Sequence, residues 1–360
     1  MNTRKITSTG TKYNKFIKRK IFIILILMLM TLAVALFALC AGSAKVPVME
    51  VIKAMLGIGA EKSVVVIVGI RLPRILMAII SGIGLAVAGT VMQSILRNPL
   101  ASSSTLGVSQ GAAFGAAVSI TYLGAGTIIS NTADAVSISN PYLTTICAFV
   151  CSMAATMVVL GLSKYNRVTP ETMILAGVAL SALFSGATAL LQYFSSDVEM
   201  AAIVFWTFGD LGRVSMKEIG VVTVVTSISS VYYMLNRWNY NALESGEHTA
   251  TSLGVKVSQI RLVSLTIASI TSATIVSFVG IINFIGLIAP HIVRRFVGND
   301  YRFLLPASAL TGALLLLISD TFARLIISPV ILPIGAITSF MGAPLFLYLI
   351  FKGVGSNAKN

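Results

Sequence analysis

Three clusters in this 360-residue chain carry side chains able to do chemistry, and in each the chemistry is recognition, with no bond made or broken. Arg71-Leu72-Pro73-Arg74, with the distant Arg324, puts guanidinium groups at the ends of apolar runs. Such groups suit bidentate capture of carboxylates from an outside partner, or they snorkel into lipid headgroups. The second cluster is Arg97-Asn98-Pro99-Leu100-Ala101, continued by Ser102 to Thr105 and Gly107. Its proline ends a helix and its hydroxyl and glycine residues favour irregular backbone. At membrane depth such backbone needs protein or a water-filled cavity around it, so the stretch reads as an inner mouth or as a plain tight turn. The third is Ala242 to Val255, with Gly246-Glu247-His248-Thr249-Ala250-Thr251-Ser252-Leu253-Gly254 at its centre. It reads as one or two short helices, Ala250 and Leu253 on one face and Gly254 as the stop, serving as a solvated loop or as a docking helix for a cytoplasmic motor.

Other chemistry is missing. The phosphate-binding pattern G-x-x-x-x-G-K-[ST] is absent and the dipeptide Gly-Lys never occurs, so the chain does not hydrolyse ATP unaided. The two histidines, His248 and His291, stand in different loops, with no H-E-x-x-H and no carboxylate pair on a shared helix face. That argues against a hydrolase or metalloenzyme, and no metal site is expected. Cys40, Cys147 and Cys151 are odd in number and lie in apolar runs, which suits packing and gives no disulfide framework.

The elements that position these clusters are set by composition. Hydrophobic residues make up 56% of the chain and charged residues 11%, against about 25% charged in soluble proteins, and mean hydropathy is +0.92. The expected fold class is all-α, a polytopic membrane protein with about ten transmembrane helices. Charge-free runs mark the spans, the ambiguous one being Leu262 to Val293, broken by Gly280, Gly286 and Pro290: one overlong tilted helix, or a long helix followed by a short one. Ten spans with both termini inside place 18 of the 26 cations on the cytoplasmic face and 8 outside, whereas nine spans place 14 and 12, so the positive-inside bias selects ten. The net charge of +14 is then a topology signal facing anionic lipid, and nucleic acid is not an expected partner. The basic N-terminal segment precedes 22 apolar residues, too many for a cleaved signal, and is expected to stay as the first span. Val48 to Leu56 forms an amphipathic piece outside, and Pro73 opens the second membrane helix. The acidic residues nearest a span, Glu171 and Asp320, are expected at helix ends; carriers driven by protons or sodium keep ionisable groups in mid-membrane, so the energy source should lie outside the chain.

From Arg71 to Lys352 the chain resembles the FecCD-type permeases, the membrane subunits of ABC importers for ferric siderophores, haem and cobalamin. The resemblance rests on Arg71-Leu-Pro-Arg74, Met92-Gln93, Arg97-Asn-Pro-Leu-Ala101, Leu106-Gly-Val-Ser, Leu175-Ala-Gly177, Trp206 with Gly209, and Gly246-Glu247 with Leu253-Gly254. Phe284-Ile-Gly-Leu-Ile-Ala-Pro-His291-Ile-Val-Arg294, Leu305-Pro-Ala-Ser308, Leu332-Pro-Ile-Gly335 and Gly342-Ala-Pro344 complete it in the same order. Three positions depart from that pattern: Ile331 stands where the family commonly has Glu, and Ile281 and Asn283 where it commonly has Pro and Gly.

The resemblance implies a type II ABC importer permease architecture, with residues 1–20 a cytoplasmic basic tail, 21–352 one transmembrane domain with its coupling loop at 242–255, and 353–360 a second cytoplasmic tail. The permease would sit in a prokaryotic cytoplasmic membrane beside a second copy or a close paralogue. Two cytoplasmic ABC ATPases, which use the ATP and magnesium, and an extracytoplasmic binding protein are the other implied partners, and no cofactor is bound by this chain. By position, Arg71, Arg74 and Arg324 match the residues that grip the binding protein. Asn98 and Leu100 match the cytoplasmic gate, with Thr169, Pro170 and Glu171 added to it. Gly246, Glu247, Ala250, Leu253 and Gly254 match the coupling helices, and Gln192 and Asn283 lie on the implied path. The expected cargo is a ferric siderophore, with haem or cobalamin the alternatives in the same family. A secondary carrier or channel independent of ATP, and a membrane enzyme, are the readings from other classes.

Overall fold

The computed structural model describes residues 3–42, 46–124, 140–162 and 169–357, with side chains described between 14 and 348 of these ranges. Helices α1 (Thr3–Cys40), α2 (Val48–Met55) and α3 (Glu61–Val64) lead through a π-helical turn, Val65–Arg71, into α4 (Leu72–Ile95). Then come α5 (Val108–Tyr122), α6 (Pro141–Leu162), α7 (Pro170–Phe194), the short α8 (Asp197–Phe208) and α9 (Met216–Leu235). Two short helices, α10 (Arg237–Glu244) and α11 (Glu247–Ser252), precede α12 (Val257–Val279), α13 (Ile285–Val297), α14 (Tyr301–Leu325) and α15 (Ile334–Asn357). No strand occurs among the described residues. The tail expected at 1–20 is, from Thr3 onward, the first half of the continuous helix α1. Lys164 and Arg167, counted among the inner cations, lie outside the described residues.

Seven described helices are long and apolar enough to cross a membrane: Asn14–Cys40, Glu61–Ile95, Pro141–Leu162, Pro170–Phe194, Met216–Leu235, Val257–Val279 and Tyr301–Leu325. The expected ten is therefore approximate, reached only by adding α5, α13 and α15. α5 has 15 residues and α13 has 13, about 22 and 20 Å of helix, short of a hydrocarbon core of about 30 Å. The ambiguous run from Leu262 resolves into a long helix and a short one. α12 ends at Val279, and Gly280 and then Phe284, both with left-handed backbone (φ 88° and 66°), turn the chain into α13.

α4 is the hub. It is enclosed on nearly every side because small residues on it let neighbours come close. A Cβ on Gly82 would collide with the Gly312 carbonyl of α14, and one on Gly89 with the Gly286 carbonyl of α13. That second contact has a covalent cause: Pro290, inside α13, has no N–H to offer Gly286 four residues back, and the freed carbonyl lies against α4. Three apolar clusters fill the bundle among the described residues, one at the end holding the α4 C-terminus around Met92, Ile95, Leu265 and Leu304, one at the opposite end around Ile67, Met77, Ile275 and Leu316, and a third around Ala116, Ile120, Ile203 and Trp206.

Candidate functional site

At the end of the bundle where α1 finishes and α4 begins, Arg74 and Arg324 converge on one carboxylate, and Arg71 on the end of α1. Asp320 is fully buried on α14, five residues before that helix ends, and not at the helix end expected for it. Arg74 Nε donates to its Oδ1 at 2.7 Å, and Arg324 Nε, one turn further on, to its Oδ2 at 3.0 Å. Arg74 also reaches Asp210 Oδ1, at 3.1 Å, with its Nη1. Arg71 donates to the carbonyls of Leu39 and Cys40 at 2.7 and 3.2 Å, and Arg324 to those of Ala41 and Ala38 at 3.3 and 3.4 Å. These carbonyls end α1, where the last turn has no backbone donors of its own and the helix dipole is negative. Two guanidiniums therefore cap α1, and the excess of three cations over Asp320 and Asp210 is offset by that dipole. Arg71 and Arg74 are buried, and Arg324 has a side chain only 9% exposed, so all three are turned toward Asp320 or the end of α1. Taking them from water is affordable because each charge has a hydrogen-bonded partner.

Asp210 opens a turn that ties three outer segments together. Its N–H donates to the Val279 carbonyl at 2.8 Å, and the Gly209 carbonyl accepts from Ile334 N–H at 3.4 Å. A Cβ on Gly280 would lie 2.5 Å from the Trp206 carbonyl, and one on Gly335 2.6 Å from that of Ile281. Beside this knot Asn283 Nδ2 donates to Ser339 Oγ at 3.1 Å, and Ser339 Oγ to the Gly335 carbonyl at 2.8 Å. Asn283 thus ties the chain break to α15. Gln192 is half-buried near the outer end of α7, and among the described residues no hydrogen bond joins the two.

At the opposite end of the bundle, Asn98 Oδ1 accepts from Leu100 N–H at 2.8 Å and its carbonyl accepts from Ala101 N–H at 3.1 Å. Arg97 takes the left-handed conformation (φ 45°) that starts this turn. Ser102 and Thr105 close a second turn, with Ser102 N–H on Thr105 Oγ1 at 2.9 Å. The stretch is thus a pair of self-bonded turns, and it leans on α7: a Cβ on Gly177 would strike the Thr105 carbonyl, and Ser181 Oγ donates to the Ser104 carbonyl at 3.3 Å. Leu100 points outward, 45% exposed. Thr169 caps α7, accepting from Thr172 N–H at 3.4 Å, with Pro170 at the first helical position and Glu171 in the first turn.

The loop of α10 and α11 is bolted to the bundle. Tyr240 OH lies 2.9 Å from Ser264 Oγ on α12. Asn241 donates to Asp300 Oδ1 at 3.2 Å and accepts from Tyr301 N–H at 2.9 Å, and Asn299 donates to Glu244 Oε1 at 2.9 Å. Glu247 pairs with Arg261 of α12. Gly254, with φ 84°, closes α11 as expected, and Gly246, with φ 113°, precedes its first residue. Ala250 and Leu253 do not share a face, however: Ala250 is fully buried, while Leu253, beyond the helix end, is 69% exposed. Burial pushes the Tyr240 phenol well above its ordinary range, so it stays a neutral hydrogen-bonding group.

The described residues hold no group of three or more His, Cys, Asp or Glu able to bind a metal. The model of the FecCD transport family matches residues 26–352. The chain belongs to the FecCD transport family. MJ0087 of Methanocaldococcus jannaschii, provisionally named an ABC transporter permease protein, is 52% identical over 95% of this chain and 97% of its own length. The hemin transport system permease protein HmuU of Yersinia pestis is 37% identical over 79% of this chain and 82% of its own. A solved structure of an inward-facing ABC transporter, provisionally assigned to the metal-chelate type, superposes with a TM-score of 0.79 at 31% identity, covering 92% of this chain and 99% of that one. The FecCD chain is therefore a multi-pass ABC permease subunit and not an enzyme.

Two parts of this permease escaped the sequence reading. Asp210, and the link from it to Asp320, gave no local signal, because the two are 110 residues apart and meet only through Arg74. The anchors Tyr240, Asn241 and Asp300 were equally silent, although Asn299-Asp300 immediately before α14 is a helix-capping signal that points to the second of these junctions.

Proposed function

We propose that this permease imports an iron chelate, a ferric siderophore first among them, driven by two cytoplasmic ABC ATPases that supply the ATP and magnesium chemistry. The observation that carries the reading is the bolted loop of α10 and α11, which offers the exposed Leu253 to the cytoplasm and is fixed by side chains to α12 and to the α13–α14 junction. A handle tied to several membrane helices passes an outside push to all of them. Haem and cobalamin are the alternative cargoes; a relative named for hemin transport supports the first. The inner gate is assigned to Asn98 and Leu100 with Thr169, Pro170 and Glu171, and the docking of an extracytoplasmic binding protein to the outer rim around Arg71, Arg74 and Arg324.

The second copy is assigned to the face of α7. α1 and α7 are both largely uncovered, but they differ in kind. α1 exposes Phe22, Leu25, Leu29, Leu32 and Phe37, a surface suited to lipid chains. α7 exposes Ala179, Ala182, Ser185, Gly186 and Ala189 between its larger residues, which suits close approach of another helix. In the resulting homodimer Gln192 lies beside the path, and Asn283 serves it from behind by holding α15.

Uptake of radiolabelled iron chelates, haem and cobalamin into proteoliposomes holding permease, ATPase and binding protein tests the proposal. Iron-chelate accumulation that needs all three components is expected. Accumulation without the ATPase would establish a secondary carrier instead, and uptake of haem or cobalamin alone would replace the cargo while leaving the mechanism.

A further inference from the structure

One guanidinium joins a buried carboxylate to a half-exposed one. Arg74 spans Asp320, with no exposure, and Asp210, whose side chain is 45% exposed. The Asp320 end is fixed, because Arg324 holds the same carboxylate and a buried charge cannot be left unpaired. The Asp210 end is weak and exchangeable, as ion pairs open to water are. Yet Asp210 controls more than itself. It opens the turn whose backbone is wedged between Val279 and Ile334, and the same turn lies directly on Arg74: a Cβ on Gly212 would sit 2.7 Å from Arg74 Nη1. Gly212 N–H donates in turn to Asp210 Oδ1 at 2.9 Å, which keeps the turn folded around the ion pair.

We propose that Asp210 is a latch on the outer mouth, opened by a carboxylate that an outside protein presents to Arg74. The incoming carboxylate replaces Asp210 at Nη1. No covalent bond changes, the charge around Arg74 is conserved and the buried pair with Asp320 stays intact. The freed turn then releases the Gly209–Ile334 hydrogen bond, and the 280–284 break and the start of α15 separate. The equilibrium shifts only because the partner binds the unlatched state better. This rests on the docking assignment made under the proposed function, and it adds an internal competitor that the partner must displace.

The test uses the whole transporter in nanodiscs with Asp210→Asn, which keeps the shape of the side chain and removes its charge. Spin labels at Lys217→Cys and Ile331→Cys, on a background with Cys40, Cys147 and Cys151 replaced, report the distance across the mouth without any binding protein. A longer or broader distance distribution in Asp210→Asn than in the parent is expected, and Gly212→Ala, which pushes the turn off Arg74 without changing charge, should reproduce it. Identical distributions in all three would overturn the latch. Affinity for the cognate binding protein is measured separately. Removing a half-exposed internal competitor should tighten it about two- to five-fold, and unchanged or weaker binding would overturn the competition. If the parent transporter binds no such protein at all, the docking assignment fails, while the spin-label result still decides whether Asp210 holds the mouth.

Discussion

The two faces of this permease are fastened by opposite means. The outer rim is held by buried charge: Arg74, Arg324 and Asp320 cross from α4 to α14, and Arg71 and Arg324 cap α1. The loop of α10 and α11 is held by single hydrogen bonds, neutral ones between Tyr240 and Ser264 and from Tyr301 N–H to Asn241, and by part-exposed carboxylates, Asp300 with Asn241, Glu244 with Asn299 and Glu247 with Arg261. Buried charge is all-or-none, since losing one partner strands the other in a medium that cannot solvate it. Neutral hydrogen bonds yield in smaller steps. The difference teaches that the outer end is built to hold one arrangement until a competing charge arrives. The inner end is built as a stiff handle with an exposed contact.

The comparison breaks most easily at Asp320. Asp320→Asn leaves two guanidiniums without their carboxylate and should lower stability by about 3–5 kcal/mol, read as earlier thermal unfolding in detergent. A loss under about 1 kcal/mol would mean that the outer rim is no tighter than the inner. The matching inner change, Asn241→Ala, strips Asp300 and the Tyr301 N–H of a partner at once and should cost about 1–3 kcal/mol, with faster hydrogen exchange confined to α10, α11 and the first turn of α14. Exchange spreading to α4 would show the two ends to be coupled.

A smaller effect separates the ends by pH. Burial works to raise the Asp300 carboxyl, but hydrogen bonds from Arg302 and Asn241 outweigh it and hold the group below its ordinary 3.8. A depressed carboxylate pKa contributes stability that is present above the unfolded value and lost as pH falls through the folded one. The stability difference between the parent and Asp300→Asn should therefore be present at neutral pH, under about 1 kcal/mol for so exposed a pair, begin to shrink only as pH falls below the ordinary 3.8, and disappear below the lower folded value. A difference that grows on acidification would contradict that sign. The smallest stability effect belongs to Leu253→Asp, within about 0.5 kcal/mol because the side chain touches little of its own chain. This same variant should abolish ATP-driven uptake if Leu253 is the handle's contact; full uptake would remove it from that role.

The local devices were legible because their signals are local. The amphipathic Val48 to Leu56, the stop at Gly254 and the turn at Asn98 each follow from the backbone preference of one residue and its neighbours, whereas Pro73, expected to open the second membrane helix, lies inside a helical span that already starts at Glu61. The count of crossings was legible only approximately, since α5 and α13 are too short to announce themselves by length. The direction in which Leu253 points was misread, because α11 ends before reaching it and helical spacing no longer applies.

By itself, then, the sequence determined that this is a helical membrane protein, because its apolar runs leave no other solvent for it, and its ordered motifs carried the resemblance to the FecCD family that the family match shows. Only the tertiary structure decided that Arg71, Arg74 and Arg324 turn inward to Asp320 and the end of α1. Charges at helix ends look alike in sequence whether they face water or one another, and the partner that settles the matter for Arg74 lies 246 residues away.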